Sequence, residues 1–282
     1  MLPINQIICG DSLKILKSFP DKCIDCVVTS PPYFCNMAYN EGATKYSGKE
    51  VVNEWKKYLQ FVYEILNECC RVLVPYGNAY INIDNAHTSS AKKAFGRNIN
   101  LHTAESLVVK LLENNSNIDY KGYYLWSKHR AHHSSSGAKK MLGSMGNYLG
   151  GSIPIYDMTE KILWFKKQGK RKFLSPEIKE KSRLTMEEFN ILGMQLWNVQ
   201  AERNRKLHPA PFPEEIPHRC LKLGSFYDDL ILDPFNGSGT TCLVAKKLGR
   251  RYIGIDLCKE YCDVGEQRIK EYECQSVCEG QN

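Results

Sequence analysis

A serine, two prolines and a tyrosine stand together at Ser30-Pro31-Pro32-Tyr33, directly after an apolar, β-branched run that ends at Thr29. Consecutive prolines form a stiff turn with fixed backbone carbonyls. A serine hydroxyl and the adjacent carbonyl can each accept a hydrogen bond, which makes the turn complementary to an exocyclic amino group with its two donors. The tyrosine ring would offer a stacking face to a base withdrawn from a duplex. Taken alone, the segment is better explained as a strand terminator with a packed tyrosine.

A glycine-containing turn at residues 233–241, Asp-Pro-Phe-Asn-Gly-Ser-Gly-Thr-Thr, follows one predicted strand and opens a predicted helix. Its glycines let the backbone approach a ligand, and the helix N-terminus adds free N–H donors. Asp256 ends the next predicted strand, where a carboxylate can accept both hydroxyls of a ribose. The third glycine of the dinucleotide fingerprint and the lysine of the phosphate loop are missing. The turn favours a nucleoside ligand without phosphates, with a plain βα turn as the alternative.

The elements that must position these residues follow from the hydrophobic periodicity. Strands alternate with helices, which predicts an α/β fold with a mostly parallel sheet and helices on both faces. Functional residues gather at the carboxyl ends of such strands. The predicted strands are 7–9, 23–29, 79–83 after a break at 76–78, 123–126, 161–165, 230–233 and 251–256. The predicted helices are 12–16 with Ser12 as N-cap, 51–74, 101–112, 185–192, 241–248 with Gly249 as C-cap, and 260–272, followed by a frayed tail.

Composition sets the broad class. The 282 residues are 43% hydrophobic and 24% charged, which is ordinary for a globular protein of one large or two small domains. No apolar run is long enough for a membrane span, and the N-terminus lacks the pattern of a secretory signal. The C-x-x-C pair Cys23 and Cys26 has no second pair at zinc-site spacing. Reduced thiols in a cytoplasmic protein are therefore expected.

The formal net charge is +7, and the positive charge is concentrated in two stretches. Residues 120–156 contain no Asp or Glu, and residues 166–172 carry five cations. Each stretch is either a solvated loop or a face that contacts phosphates. Three histidines crowd the first stretch, but without a fourth ligand they do not argue for a metal. The cations of the first stretch are Lys121, Lys128, Arg130, Lys139 and Lys140.

The two motifs together resemble the beta-class amino methyltransferases of bacterial restriction–modification systems. In that family a [D/N/S]-P-P-[Y/F] motif precedes a D-P-F-x-G-x-G-T motif, which is the order found here. Other elements of the family's pattern lie along most of the chain. The matching segments are Gly10–Leu13, Gly143-Ser144, Pro154, Glu160–Lys166, Leu196–Val199 and His208–Pro213.

The resemblance implies a Rossmann-like S-adenosylmethionine-dependent methyltransferase fold with circularly permuted motif order, in one catalytic domain spanning residues 1–282. It implies that Ser30 and the Pro31 carbonyl hold the target amino group, that Pro32 stiffens the turn, and that Tyr33 stacks on a flipped base. Methyl transfer would be a direct in-line displacement governed by positioning, with no metal. The implied cofactor residues are Asp11, Phe235, Asn236, Gly237, Gly239, Thr240, Thr241 and Asp256, with His208, Pro209 and Phe212 from the other side.

The resemblance also bears on the substrate. Serine at the first motif position is typical of enzymes that methylate cytosine at N4, whereas Asp or Asn is commoner for adenine N6. We expect cytosine N4, with adenine N6 as the alternative. A protein glutamine methyltransferase has the reverse motif order, and the missing third glycine disfavours a NAD-linked oxidoreductase. A DNA-binding module without catalysis is the remaining alternative.

The implied partners are double-stranded DNA, a cognate restriction endonuclease and a second copy of the chain, in the bacterial cytoplasm. Target-recognition segments are expected within residues 34–50, 127–156 and 166–207, which are irregular and polar. Phosphate contacts position a protein on DNA and base contacts specify the sequence. The residues predicted to bind DNA are Lys128, Arg130, Lys139 and Lys140.

Overall fold

The computed structural model describes residues 2–34, 51–88, 99–128, 159–200 and 213–279. Ten strands and eight helices occupy these ranges. The strands are β1 Gln6–Cys9, β2 Ile24–Thr29, β3 Leu73–Ile83, β4 Ala86–Thr88, β5 Ile99–Leu101, β6 Ile118–Ser127, β7 Thr159–Lys167, β8 Leu196–Asn198, β9 Leu230–Asp233 and β10 Arg251–Asp256. The helices are α1 Ser12–Lys17, α2 Val51–Val72, α3 Thr103–Asn114, α4 Pro176–Lys181, α5 Met186–Leu192, α6 Glu215–Gly224, α7 Thr240–Lys247 and α8 Lys259–Glu279.

Eight strands form one sheet in the order β1-β10-β9-β2-β3-β7-β6-β8, and β4 pairs with β5 separately. Adjacent strands of the large sheet are parallel except where β7 takes part, since β7 is antiparallel to both β3 and β6. The prediction of a mostly parallel sheet is confirmed. Because β7 is reversed, its first residues lie at the edge where the other strands have their carboxyl ends. We call this the carboxyl edge, and the opposite one the amino edge.

Alternate side chains of the central strands enter two hydrophobic cores. In β2, Val27 packs into a core with Leu66 of α2 and Leu107 of α3. Cys26 and Val28 belong to the core on the opposite face, with residues of α6, α7 and α8. Since neighbouring side chains of a strand point to opposite faces, a continuous apolar strand needs helices on both sides. The predicted two-sided architecture is confirmed.

The first helix begins one residue away from the predicted cap. Asp11 is the N-cap of α1, and its carboxylate accepts a hydrogen bond from the Lys14 N–H at 3.1 Å. Ser12, predicted as the cap, is the first helical residue, and its buried hydroxyl donates to the Pro234 carbonyl at 2.6 Å. The prediction for Ser12 was therefore wrong, because a tertiary contact competes for that hydroxyl and aspartate caps a helix equally well.

Two other boundaries differ from the predictions. The predicted break at residues 76–78 lies inside β3, where the register with β2 shifts and Tyr76 has φ +70°. The strand continues through Gly77 with a local irregularity in its pairing and does not end there. Helix α8 continues to Glu279, so the expected fraying after Tyr272 was wrong. The sequence also missed α4 and β8, which lie within the expected recognition segment 166–207.

The remaining sequence expectations concern helix signals, thiols and membranes. Helix α5 follows a capping box between Thr185 and Glu188, which confirms the predicted helix, and Gly249, with φ +69°, follows the end of α7. The ten cysteines whose side chains are described are free. Among the described residues, no helix is long and apolar enough to cross a membrane.

Candidate active site

Four polar residues from four strands meet at the carboxyl edge. Ser30 follows β2, Asn82 lies near the end of β3, Lys128 follows β6, and Glu160 lies at the start of the reversed strand β7. The sheet topology therefore gathers side chains that are far apart in the sequence. This is the edge at which open α/β sheets bind ligands.

A hydrogen-bond network holds Tyr33 in place. Its hydroxyl donates to Glu160 Oε2 at 2.6 Å, and Asn82 Nδ2 lies 2.7 Å from both Glu160 Oε2 and Tyr33 Oη. The Ser30 hydroxyl donates to Tyr33 Oη at 3.3 Å. Burial, and then the charge of Glu160, raises the pKa of Tyr33 well above its ordinary value. The phenol therefore stays protonated and continues to donate to Glu160.

Glu160 is the charged centre of this network. It is 2% exposed, and its second oxygen forms an ion pair with the ammonium of Lys128. That ammonium also lies 5.2 Å from the centroid of the Trp126 ring. A buried carboxylate requires such partners, because an unpaired buried charge is very unfavourable.

Of the four residues predicted to contact DNA, the structure describes only Lys128. The described partner of Lys128 is Glu160, so its charge is directed into the site. A phosphate contact by Lys128 stays a prediction, as do those of Arg130, Lys139 and Lys140, which lie outside the described residues.

The glycine turn joins three strand ends. Gly237 has φ +50°, and its N–H donates to Asp256 Oδ2 at 2.8 Å, which connects the turn to the end of β10. The Thr29 hydroxyl donates to Asp233 Oδ1 at 2.6 Å, which connects it to the end of β2. Gly239 has φ +78°, and a Cβ there would lie 2.7 Å from a backbone carbon of α8. Only glycine fits this position.

Three predicted cofactor residues have inward side chains. Asn236 Oδ1 accepts from the Cys242 thiol at 3.0 Å, the Thr240 hydroxyl accepts from Arg268 at 3.0 Å, and Thr241 is fully buried. These side chains stabilise the turn, so a ligand would meet their backbone. Arg268, which also donates to the Ser238 carbonyl at 2.7 Å, was not singled out from the sequence.

The accessible members of the predicted cofactor set surround the turn. Phe235, Gly237 and Asp256 are partly exposed, and Asp11 is exposed. The ring of Phe61 on α2 meets Phe235 edge to face, with 6.0 Å between centroids, and is 47% exposed. Together they offer two carboxylates and an aromatic wall at one place. The predicted residues His208, Pro209 and Phe212 lie outside the described residues.

Asn82 and Glu160 are functional candidates to which the sequence reasoning gave no role. Each is polar but lies two residues from a buried side chain on the same face of its strand. Asn82 shares a face with Tyr80, and Glu160 shares a face with Ile162. A polar residue at a buried position of a strand must have a partner. A polar residue at a strand position expected to be buried is the sequence signal that could have identified Asn82 and Glu160.

The family profile described as DNA methylase, for N6 and N4 methyltransferases, matches residues 24–267. The match covers most of the chain. This chain belongs to the N6/N4 DNA methylase family. The resemblance inferred from the motifs, to beta-class amino methyltransferases of the restriction–modification type, is thereby confirmed.

Individual relatives match this DNA methylase in sequence or in structure over almost its whole length. It is 30% identical to the Type II methyltransferase M.HpaI of Haemophilus parainfluenzae, over 94% of this chain and 74% of the relative. The crystal structure of TTHA0409 from Thermus thermophilus, complexed with S-adenosyl-L-methionine, is 27% identical with a TM-score of 0.76, covering 94% of this chain and 93% of that one. The cytosine-N4-specific PvuII DNA methyltransferase has a TM-score of 0.66 at 21% identity, covering 93% and 85% of the two chains, and supports the fold alone.

The buried aspartate of the turn gives this methylase a pH-dependent stability. Burial raises the pKa of Asp233 from 3.8 to about 6, although hydrogen bonds from the Thr29 hydroxyl and the Phe235 N–H oppose the shift. The folded state thus favours the protonated form, so the stabilisation is complete below about pH 4 and is lost as the pH rises through about 6. Relative to Asp233→Asn, we expect the native free energy of unfolding to fall by up to about 3 kcal/mol over this window.

Urea unfolding of both proteins at a series of pH values measures this difference. Asparagine retains an oxygen to accept the same hydrogen bonds but does not titrate in this range. A difference between the two proteins that stays constant from pH 4 to pH 7 would contradict the assignment.

Proposed function

We propose that this methylase transfers a methyl group from S-adenosylmethionine to the exocyclic N4 amino group of cytosine at specific sites in double-stranded DNA. The observation that carries the proposal is the direct link between the two motifs. The hydrogen bond from Thr29 to Asp233 fixes the residue before Ser30 against the first residue of the glycine turn. Target and cofactor subsites would therefore be adjacent, as an in-line transfer requires.

The residues present fit S-adenosylmethionine. Asp256 has lone pairs beyond those used by the Gly237 and Cys258 N–H groups, and these suit ribose hydroxyls. Phe235 and Phe61 offer apolar faces for an adenine, and the exposed carboxylate of Asp11 suits a cationic group. When bound, this cofactor supplies a methyl carbon activated by a sulfonium. The protein's task is to position it and exclude water, with no metal assigned a role.

At the target subsite, Ser30 and the carbonyl of Pro31 accept hydrogen bonds from the amino group and orient its nitrogen. Pro32 keeps the turn stiff. Tyr33 presents its ring to the flipped base, because the hydroxyl at the far end of the ring is held by Glu160 and Asn82. Flipping is required since the amino group is otherwise paired within the stack.

The choice of cytosine rests on Ser30. A neutral hydroxyl stands at the first motif position, and the negative charge nearby belongs to Glu160. In the family, this serine favours N4 of cytosine over N6 of adenine, although both amines present two donors. Adenine N6 on the same scaffold is the second candidate. The activity would belong to a restriction–modification pair with an endonuclease of the same site.

Nucleoside analysis tests the proposal. The protein is incubated with radiolabelled S-adenosylmethionine and unmethylated DNA of high sequence complexity, and the DNA is then digested to nucleosides. We expect N4-methyldeoxycytidine in the native reaction and no label in a Tyr33→Ala reaction that still binds the cofactor. Label in N6-methyldeoxyadenosine alone would refute the choice of base, and cofactor binding without labelled DNA would refute the substrate.

A further inference from the structure

The segment 166–183 lies away from the candidate active site. Strand β7 is reversed, so it begins at the carboxyl edge with Glu160 and ends at the amino edge with Lys167. Lys172 then pairs with Asp25 at 2.7 Å and with Asp229 at 2.6 Å. Asp25 lies near the start of β2 and Asp229 just before β9, and the opposite ends of these two strands lead to the site. Ser30 is the fifth residue after Asp25, a distance of about 16 Å along an extended strand.

This segment is held to the amino edge at defined points. Gly169 has φ +134°, and a Cβ there would lie 2.6 Å from Pro75, so the backbone packs directly against β3. Gln168 donates to Asp119 at 2.7 Å, and Lys172 bridges Asp25 and Asp229. Between these anchors the chain presents Lys170 and Arg171 to solvent. Their position is thus set by the fold.

The charges of this segment do not cancel. Residues 166–183 contain eight lysines or arginines and two glutamates. The glutamates pair with Lys181 and Arg183, and the buried ammonium of Lys167 donates to backbone carbonyls of the α2–β3 junction. None of the ion pairs among the described residues involves the cations that remain. These are Lys166, Lys170, Arg171 and Lys179, with Lys121 of β6 nearby.

Aromatic rings accompany these cations. Lys166 Nζ lies 3.2 Å from the centroid of Tyr76, and Arg171 lies 4.2 Å from that of Phe226. The hydrogen bond from Lys166, with its charge and that of Arg171, lowers the pKa of Tyr76. Phe173 is 88% exposed. Stacking on rings restricts the cationic side chains, which reduces the entropy lost when they bind an anion.

We propose that this amino-edge basic surface binds the phosphate backbone of a second DNA segment while the carboxyl edge holds the segment being methylated. The proposal rests on DNA as the substrate. A straight duplex at the carboxyl edge does not reach the opposite side of the sheet, and clustered cations without carboxylate partners match a polyanion. Holding two segments would let the protein pass from one DNA site to another. The base-reading role is then left to segments 34–50 and 127–156.

A capture assay tests the proposal. Protein bound to an immobilised duplex is offered a second, labelled duplex in solution. The test variant carries Lys166→Ala, Lys170→Ala and Arg171→Ala. The control carries Lys246→Ala, Lys259→Ala and Lys270→Ala, which remove the same charge from α7 and α8, where each of these lysines pairs with a carboxylate. We expect the native protein and the control to retain the labelled duplex and the test variant to lose it.

Salt dependence and substrate length give further readouts. In the capture assay, the slope of log affinity against log salt should be smaller by about 2 to 3 for the test variant, since each lost phosphate contact removes about 0.9. Methylation of short sheared DNA should be unchanged. Capture itself requires no methyl transfer, so an error in the proposed base would leave the result intact.

Four results would overturn the proposal. Equal losses in both triple variants would mean that only total charge matters. Retention by the test variant would mean that two active sites bridge the duplexes. Loss of methylation on short DNA would put the surface on the path of the substrate itself. Stronger capture of RNA than of duplex DNA would identify a different partner.

Discussion

Replacing Ser30 by alanine is expected to lower kcat by about 10²- to 10³-fold, the range seen when one polar group aimed at a reacting atom is removed. The hydroxyl lies at the carboxyl end of β2 and contacts Tyr33 Oη at 3.3 Å, so its removal leaves the turn and its prolines in place. The amino group would lose one of its two acceptors and be less well oriented. Affinity for S-adenosylmethionine should not change, because Ser30 is outside the glycine turn.

Single-turnover methylation and calorimetric titration of the cofactor measure the two halves of this prediction. Ser18→Ala is the matched control, since its hydroxyl donates to a carbonyl within α1 at 2.6 Å, away from the site. The prediction fails if kcat of the Ser30 variant matches that of the control. Weaker cofactor binding in proportion to the lost activity would assign Ser30 to the cofactor subsite instead.

Short-range sequence signals predicted the bounds of several strands and the position of the two motifs at strand ends. Strands β9 and β10 have the predicted bounds, because buried parallel strands read as continuous apolar runs that end at an aspartate. The motifs were assigned to the correct edge for the same reason, since each follows a strand. The cap at Asp11 was missed because Ser12 is an equally good capping residue by sequence. In the structure, the Ser12 hydroxyl instead donates to the carbonyl of Pro234, which is 222 residues away.

The polar network could not be predicted in the same way. Glu160 meets Tyr33 across 127 residues and Asn82 across 78, and no local pattern encodes those contacts. Likewise, the composition of segment 166–183 predicts a basic face, but only the reversed direction of β7 determines the edge at which it lies. Local patterns therefore placed Ser30 and the glycine turn at the ends of their strands, whereas the partners of Tyr33 depend on contacts between distant parts of the chain.

Replacing Glu160 by alanine is expected to reduce the free energy of unfolding by about 3–5 kcal/mol, because it leaves the Lys128 ammonium without its counter-ion in a largely buried site. It also removes the acceptor of the Tyr33 hydroxyl at 2.6 Å and of Asn82 Nδ2 at 2.7 Å. Combining Glu160→Gln with Lys128→Met should restore most of that stability. Glutamine can still accept from Tyr33, and no buried charge remains.

Urea unfolding of these variants separates a buried network from an ordinary ion pair. Glu105 pairs with Lys161 near the surface and is 51% exposed, so Glu105→Ala should cost no more than about 1 kcal/mol. A loss for Glu160→Ala as small as that would contradict the network. The positioning role has its own readout: Glu160→Gln should lower kcat in the native background but not in Tyr33→Phe, which has no hydroxyl for residue 160 to hold. Equal losses in both backgrounds would mean that Glu160 acts on turnover by a route other than Tyr33.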